Sequence, residues 1–146
     1  MLRREQKLLH ISRGLFEQIH CHLQRCYPAE GVGFLLGVEE KGHRYVRRIR
    51  DVQNEAEQGG GHDRYVVQPE TAAHVEDEAN SMGLSVIGVF HSHPDQEPLP
   101  SAFDLDRALP WFSYVIVRVD KGVATGSRSW RPQADRSFQS EELKIV

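Results

Sequence analysis

Apolar residues recur four, four and three positions apart at Leu15, Ile19, Leu23 and Cys26, the spacing that gathers side chains on one face of a helix. Ser12 stands before this stripe as an N-cap and Pro28 ends it. A short strand over Leu8 to Ile11 precedes the helix, and the glycine-bounded apolar run "GVGFLLGV" (31 to 38) predicts a buried strand after it. Residues 43 to 52 pair with that run across "EEKG", and "RYVVQ" (64 to 68) reads as a further strand. A helix follows over "PETAAHVEDEANSMG", with Pro69 in its first turn and Gly83 as its stop. "LSVIGVF" (84 to 90) is apolar and β-branched almost throughout, the pattern of a strand covered on both faces. "WFSYVIVRV" (111 to 119), the turn "DKG" and "VATGSRSW" form a hairpin, with "ELKIV" as a last strand. Helices interleaved with these strands predict a mixed sheet in an α/β or α+β fold.

Composition narrows the function classes. The 146 residues fit one domain, 1–146, with a single core. Eighteen Lys and Arg against 21 Asp and Glu leave a net charge of −3, which offers no broad attraction for nucleic acid. The densest basic run, "HRYVRRIRD" (43 to 51), reads as a solvated or edge strand. No segment approaches the roughly 18 apolar residues that a membrane span needs, and the N-terminal stretch lacks a signal-peptide core, so no membrane partner and a cytoplasmic location are expected. Cys21 and Cys26 fall on opposite sides of the first helix and predict no mutual disulfide, in keeping with a reducing compartment. "EQGGGHD" (57 to 63) predicts a mobile loop.

The candidate chemistry lies in "GVFHSHPDQEPLPSAFDLD" (88 to 106). Alternate strand residues share a face, so His91 and His93 project together, about 6 to 7 Å apart at the backbone. Two imidazoles so placed can converge on one ion. Catalytic zinc commonly takes three protein ligands, histidine nitrogens or carboxylate oxygens, and keeps one position open. Asp104, one turn into a helix opened by Ser101 after a proline-stiffened bend, is the candidate third ligand. Ser101 and Asp104 fit an S-x-x-D capping box equally well. The remaining histidines lack this convergence. His20 and His22 diverge by about 200° on a helix, His22 with Cys26 makes only two ligands, and His10, His43, His62 and His74 have no partner at metal spacing.

The string H-S-H-P, the seven residues Pro94 to Pro100, Ser101, two residues and Asp104 resembles the signature of the JAMM (MPN+) zinc metalloprotease family. "YPAEGVGFLLG" resembles the family's upstream segment and sets Glu30 at its glutamate; Gly31 and Val32 depart from residues common there. The resemblance implies a three-layer α/β/α sandwich around a mixed β-sheet, akin to the cytidine deaminases. It implies one zinc ion held by His91, His93 and Asp104. It implies Glu30 as general base and Ser101 as a donor to the oxyanion. The deaminase signature itself is absent, because His93 stands where its glutamate would be and no CxxC pair occurs. HExxH is absent as well.

The resemblance further implies cleavage of peptide or isopeptide bonds after the C-terminal tail of a ubiquitin-like protein, of the sulfur-carrier type for small prokaryotic members. Such a tail is expected to add as a strand to a sheet edge beside the zinc, with the 57–63 loop as a flap. The short stretch from Asp104 to "PWF" leaves no room for the insertion that grips a second ubiquitin. Two other functions remain open from the sequence: a metal-free scaffold of the same family, and a zinc hydrolase of small peptides.

Overall fold

The structure is a computed structural model and describes residues 6–56, 61 and 64–146. The elements run β1 (Leu8–Ile11), α1 (Arg13–Cys26), β2 (Val32–Glu40), β3 (His43–Val52), α2 (Pro69–Ser81), β4 (Ser85–Pro94), α3 (Ala102–Arg107), β5 (Ser113–Asp120), β6 (Val123–Pro132) and β7 (Phe138–Ile145).

Local chemistry sets α1. Ser12 holds extended backbone angles while its Oγ accepts the Leu15 N–H at 3.2 Å, meeting one of the donors that a helix start leaves unpaired. Ile19 and Leu23, one turn apart, are fully buried, and each contributes about 1.5–3 kcal/mol by leaving water. They join Leu35, Phe90, Val115 and Val117 in one core cluster. β2 alternates, so Phe34 and Leu36 face the other way and pack with Val75 and Ala79 of α2 in a second cluster. The two helices therefore cover opposite faces of the sheet, and β4 feeds both clusters, as its unbroken apolar run predicts. Gly88 permits the β4–β5 pairing: a Cβ there would lie 2.2 Å from the Ser113 carbonyl oxygen.

The mixed sheet with helices on both faces agrees with expectation, but the central layer is not flat. The order β1-β3-β2-β4-β5-β6-β7 closes on itself through a parallel β1–β7 pair, Leu8 opposite Glu142 and Ile11 opposite Ile145. The curled sheet brings β3, β4, β5 and β6 all against α1. Closure gives each strand two neighbours. The free edge expected for a substrate tail shrinks to the strand ends, where β4 continues to Pro94 past its last β2 partner, His91 opposite Val32.

Two local expectations need correction. Residues 64 to 68 are not a strand. Tyr65 and Val67 do reach the second cluster, but the backbone is met by the Asn54, Glu55 and Arg107 side chains and by a Glu55 N–H to Val66 carbonyl bond of 2.8 Å rather than by a ladder. Apolar alternation reports burial, and burial here comes without pairing. Nor is "HRYVRRIRD" an edge: β3 pairs with β2 on one side and β1 on the other. Arg47, Arg48 and Arg50 are solvated, but Arg44 is buried and donates to Ser113 Oγ at 2.9 Å.

Candidate metal centre

Antiparallel pairing of β2 with β4 brings the start of one strand to the end of the other, so Glu30, just before β2, meets His91 across 61 positions of sequence. The period of two sends His91 and His93 to one side of β4 and Ser92 to the other. Ser92 uses that opposite side as a fastening: its Oγ accepts the Gly31 N–H at 2.8 Å, and its own N–H donates to the Gly31 carbonyl at 3.1 Å.

Four of the five residues named from the sequence are buried in one group: Glu30, His91, His93 and Asp104. Glu30, His91 and His93 each present a ligand atom within 4.8 Å of the others. Asp104 faces both imidazoles, its Oδ1 3.4 Å from His91 Nε2 and its Oδ2 3.2 Å from His93 Nε2. The other His91 nitrogen, Nδ1, lies 3.3 Å from Glu30 Oε1.

Ser101 and Asp104 also form the capping box. Asp104 N–H donates to Ser101 Oγ at 3.1 Å, and Ser101 N–H donates to Asp104 Oδ2 at 2.8 Å. Cap and candidate ligand, alternatives in the sequence, are compatible in one residue, because a carboxylate has lone pairs for each. Ser101 itself is exposed, and since its oxygen serves as acceptor its own O–H proton stays available to donate outward.

The protonation pattern shows that the group fits a cation. His93 Nδ1 lies 2.9 Å from the Glu97 carbonyl oxygen, which can only accept, so Nδ1 carries the proton and a neutral His93 turns a lone pair at Nε2 toward Asp104. Lone pair facing carboxylate is unfavourable unless a positive charge stands between them. A proton is one solution. Burial lowers the His93 pKa, but hydrogen bonds to Asp104 and to the Glu97 carbonyl, with the charges of Asp104 and Glu30, outweigh it and raise the pKa above the usual value. For Asp104, burial acts upward and is outweighed by the His93 hydrogen bond, nearby His91 and the Ser101 N–H, which hold its pKa at about 2. A metal ion is the other solution. Donors about 2.0–2.1 Å from a tetrahedral ion stand roughly 3.3–3.4 Å apart, close to the separations of Asp104 from both Nε2 atoms. Both ring nitrogens of His91 are buried without a hydrogen bond, and a cation at Nε2 would satisfy one of them.

Three contributors carried no advance signal. The Tyr65 ring packs on His91 at 4.7 Å between centroids and 39° between planes, and its hydroxyl is held neutral by burial, with Tyr114, Asp104 and Glu30 nearby acting the same way. The Glu97 carbonyl, within the proline-rich bend, orients His93. Asn54 bonds the Glu30 carbonyl through Nδ2 at 2.9 Å. Of the histidines set aside, His20 contacts Ser127 Oγ at 2.9 Å and His22 the Val32 carbonyl at 3.1 Å, both structural bonds, while His22 is part-buried rather than helix surface. His10 stacks on Tyr45, and His62 lies outside the described residues. Of the 57–63 loop only Gly61 is described, its carbonyl accepting the Glu30 N–H at 2.6 Å. Both cysteines are free, as expected.

The closed mixed sheet, with a buried His-x-His and two carboxylates at a strand end, accords with the JAB-type domain whose family model residues 12–133 match. A JAB1/MPN domain protein from Archaeoglobus fulgidus shares the fold, with a TM-score of 0.60 at 19% identity over 95% of this chain and 98% of that one. A solution structure of a Salinibacter ruber protein is more alike in sequence, 34% identical with a TM-score of 0.73 over 95% and 92% of the two chains. Residues 12–133 match the family described as prokaryotic homologs of the JAB domain, and the chain belongs to that family. It is 32% identical over 113 residues to a protein named probable TtuB-protein conjugate cleaving protease from Thermus thermophilus, covering 77% of this chain and 72% of that protein. It is 34% identical to the desampylase of Haloferax volcanii over 64% of this chain and 65% of the enzyme. Among the described residues no helix is long and apolar enough to cross a membrane.

Proposed function

We propose that this chain, acting as one domain over its 146 residues, is a zinc-dependent protease that hydrolyses the bond joining the C-terminal tail of a ubiquitin-like protein to its partner. The observation that carries the proposal is the buried convergence of His91 Nε2, His93 Nε2 and the Asp104 carboxylate, with Glu30 Oε1 against His91 Nδ1. Those three residues would hold the ion, leaving Glu30 as base. Zinc supplies Lewis acidity there, enough to bring the pKa of a water molecule to about 7.

The Glu30 carboxylate takes one proton from the attacking water as its oxygen bonds to the scissile carbonyl carbon. The same carboxyl returns that proton to the amine nitrogen as the C–N bond breaks, leaving Glu30 ionised for the next turnover. Ser101 donates its free O–H to the carbonyl oxygen as negative charge collects on it. The Ser92 fastening and the Glu97 carbonyl hold base and ligand in place, so little reorganisation accompanies reaction.

The relatives' names, conjugate-cleaving protease and desampylase, support a ubiquitin-like conjugate as substrate class, and we take the sulfur-carrier type as its particular form. Free Cys21 and Cys26 accord with a cytoplasmic site of action. The test is incubation of purified protein with a ubiquitin-like carrier, joined either to a lysine side chain or to a C-terminal extension. Cleavage at the tail is expected, abolished by a chelator and restored by zinc. Cleavage of short peptides alone overturns the protein substrate, and an inert protein that takes up no zinc marks a scaffold.

Metal uptake should depend on pH with a definite sign. A metal ion displaces the proton at His93 Nε2, whose pKa is raised, so affinity is full above that pKa and falls about tenfold per pH unit below it. Chelator-competition titrations at pH 8, 7 and 6 should show affinity dropping toward pH 6. A constant affinity would exclude His93 as a ligand.

A further inference from the structure

Asn54 lies two residues beyond the end of β3, where the ladder has stopped and three stretches of backbone come together. Its carboxamide uses all four of its hydrogen-bonding positions. Nδ2 donates to the Glu30 carbonyl at 2.9 Å and to the Arg64 carbonyl at 3.1 Å. Oδ1 accepts from the Ala56 and Val66 N–H groups, each at 3.0 Å. The pattern admits one orientation, because a flipped amide would set donor against donor and acceptor against acceptor. The Arg64 and Val66 bonds bracket Tyr65 on both sides, and the Tyr65 ring covers His91. The Glu30 carbonyl bond joins those of the Glu30 N–H to Gly61 and of the Gly31 N–H to Ser92 Oγ, and completes the hold on a residue that precedes β2 and so has no ladder of its own.

We propose that Asn54 is a positioning residue for the reaction: one side chain holds the base Glu30 and the aromatic cover of His91 in a common frame. The assignment rests on the base role of Glu30 given above. Asn54 touches neither substrate nor metal and acts through those two residues. A displacement of about 1 Å at a reacting group can cost on the order of 100-fold in rate, so the effect belongs in kcat.

Asn54→Asp is the informative variant. It keeps the shape and both accepted bonds, so the turn to Ala56 and Val66 survives, but it loses both donors and sets a carboxylate against the Glu30 and Arg64 carbonyls. In the zinc-loaded full chain acting on a ubiquitin-like conjugate, kcat should fall about 10- to 100-fold, with KM and bound zinc within about twofold of the parent. Asn54→Ala should lose as much kcat and more thermal stability. A purely structural role gives a different result: both variants lose thermal stability, while the folded protein keeps a parent-like kcat. Parent-like kcat in Asn54→Asp, a change confined to KM, or loss of zinc each overturns the assignment. Asn54→Ser, uncharged and too short to reach all four partners, stands in where the aspartate's charge prevents folding, and parent-like kcat in it is equally fatal. Glu30→Gln run in parallel separates the two levels: an active Glu30→Gln removes the base itself, whereas an inactive one beside a parent-like Asn54→Asp removes only the positioning role.

Discussion

Glu30→Gln should keep its metal and lose about 10²- to 10⁴-fold in turnover, the contribution expected of a placed acid–base group. The substitution is nearly isosteric, in a side chain only 6% exposed, so packing should hold. An amide cannot take a proton from water, which removes the step while leaving His91, His93 and Asp104 in place. The geometry makes this a real test, since Glu30 is near enough to His91 and His93 to serve as a ligand in its own right. Elemental analysis alongside initial rates separates the possibilities. Metal content falling together with activity would make Glu30 a ligand, and a parent-like rate would leave the enzyme without its base.

The parts of this site that were legible in the sequence are those set by local periodicity. His91 and His93 share a face because strand side chains alternate, and Ser101 opens a helix because a hydroxyl there meets the Asp104 N–H. Glu30 became legible only through its family resemblance; physically, its place depends on β2–β4 register, which no nearby residue encodes. The same limit hid barrel closure, since Leu9 pairs with Leu143 near the opposite end of the chain. Asn54 escaped notice because an asparagine after a strand looks like any turn residue, and only its four backbone partners reveal its position. Arg44 was concealed by exposed arginines around it, although only it turns inward.

Asp104 presents the larger experimental contrast, because its two oxygens serve two structures at once. Asp104→Asn retains an oxygen that can accept the Ser101 N–H, preserving the cap of α3, but offers a neutral amide to the ion. Asp104→Ala removes the ligand and the Asp104 half of the capping box, while the bond from the residue-104 N–H to Ser101 Oγ remains. Loss of an outer-sphere partner costs about 10- to 100-fold in metal affinity, so loss of a direct ligand should exceed that in both variants, with activity falling to background. Their stabilities should differ: metal-free Asp104→Ala should be less stable than Asp104→Asn, by no more than the about 1 kcal/mol that loss of a whole N-cap costs, since Ser101 still caps the helix. Acid adds a check with a fixed sign. A carboxylate held at about 2 in the folded protein against 3.8 otherwise stabilises the fold above pH 3.8 and ceases to do so as pH falls toward 2. The parent's advantage over Asp104→Asn should therefore vanish over that interval in denaturant titrations. Should Asp104→Asn bind metal as tightly as the parent, Asp104 is a cap alone, and the centre must be completed by Glu30.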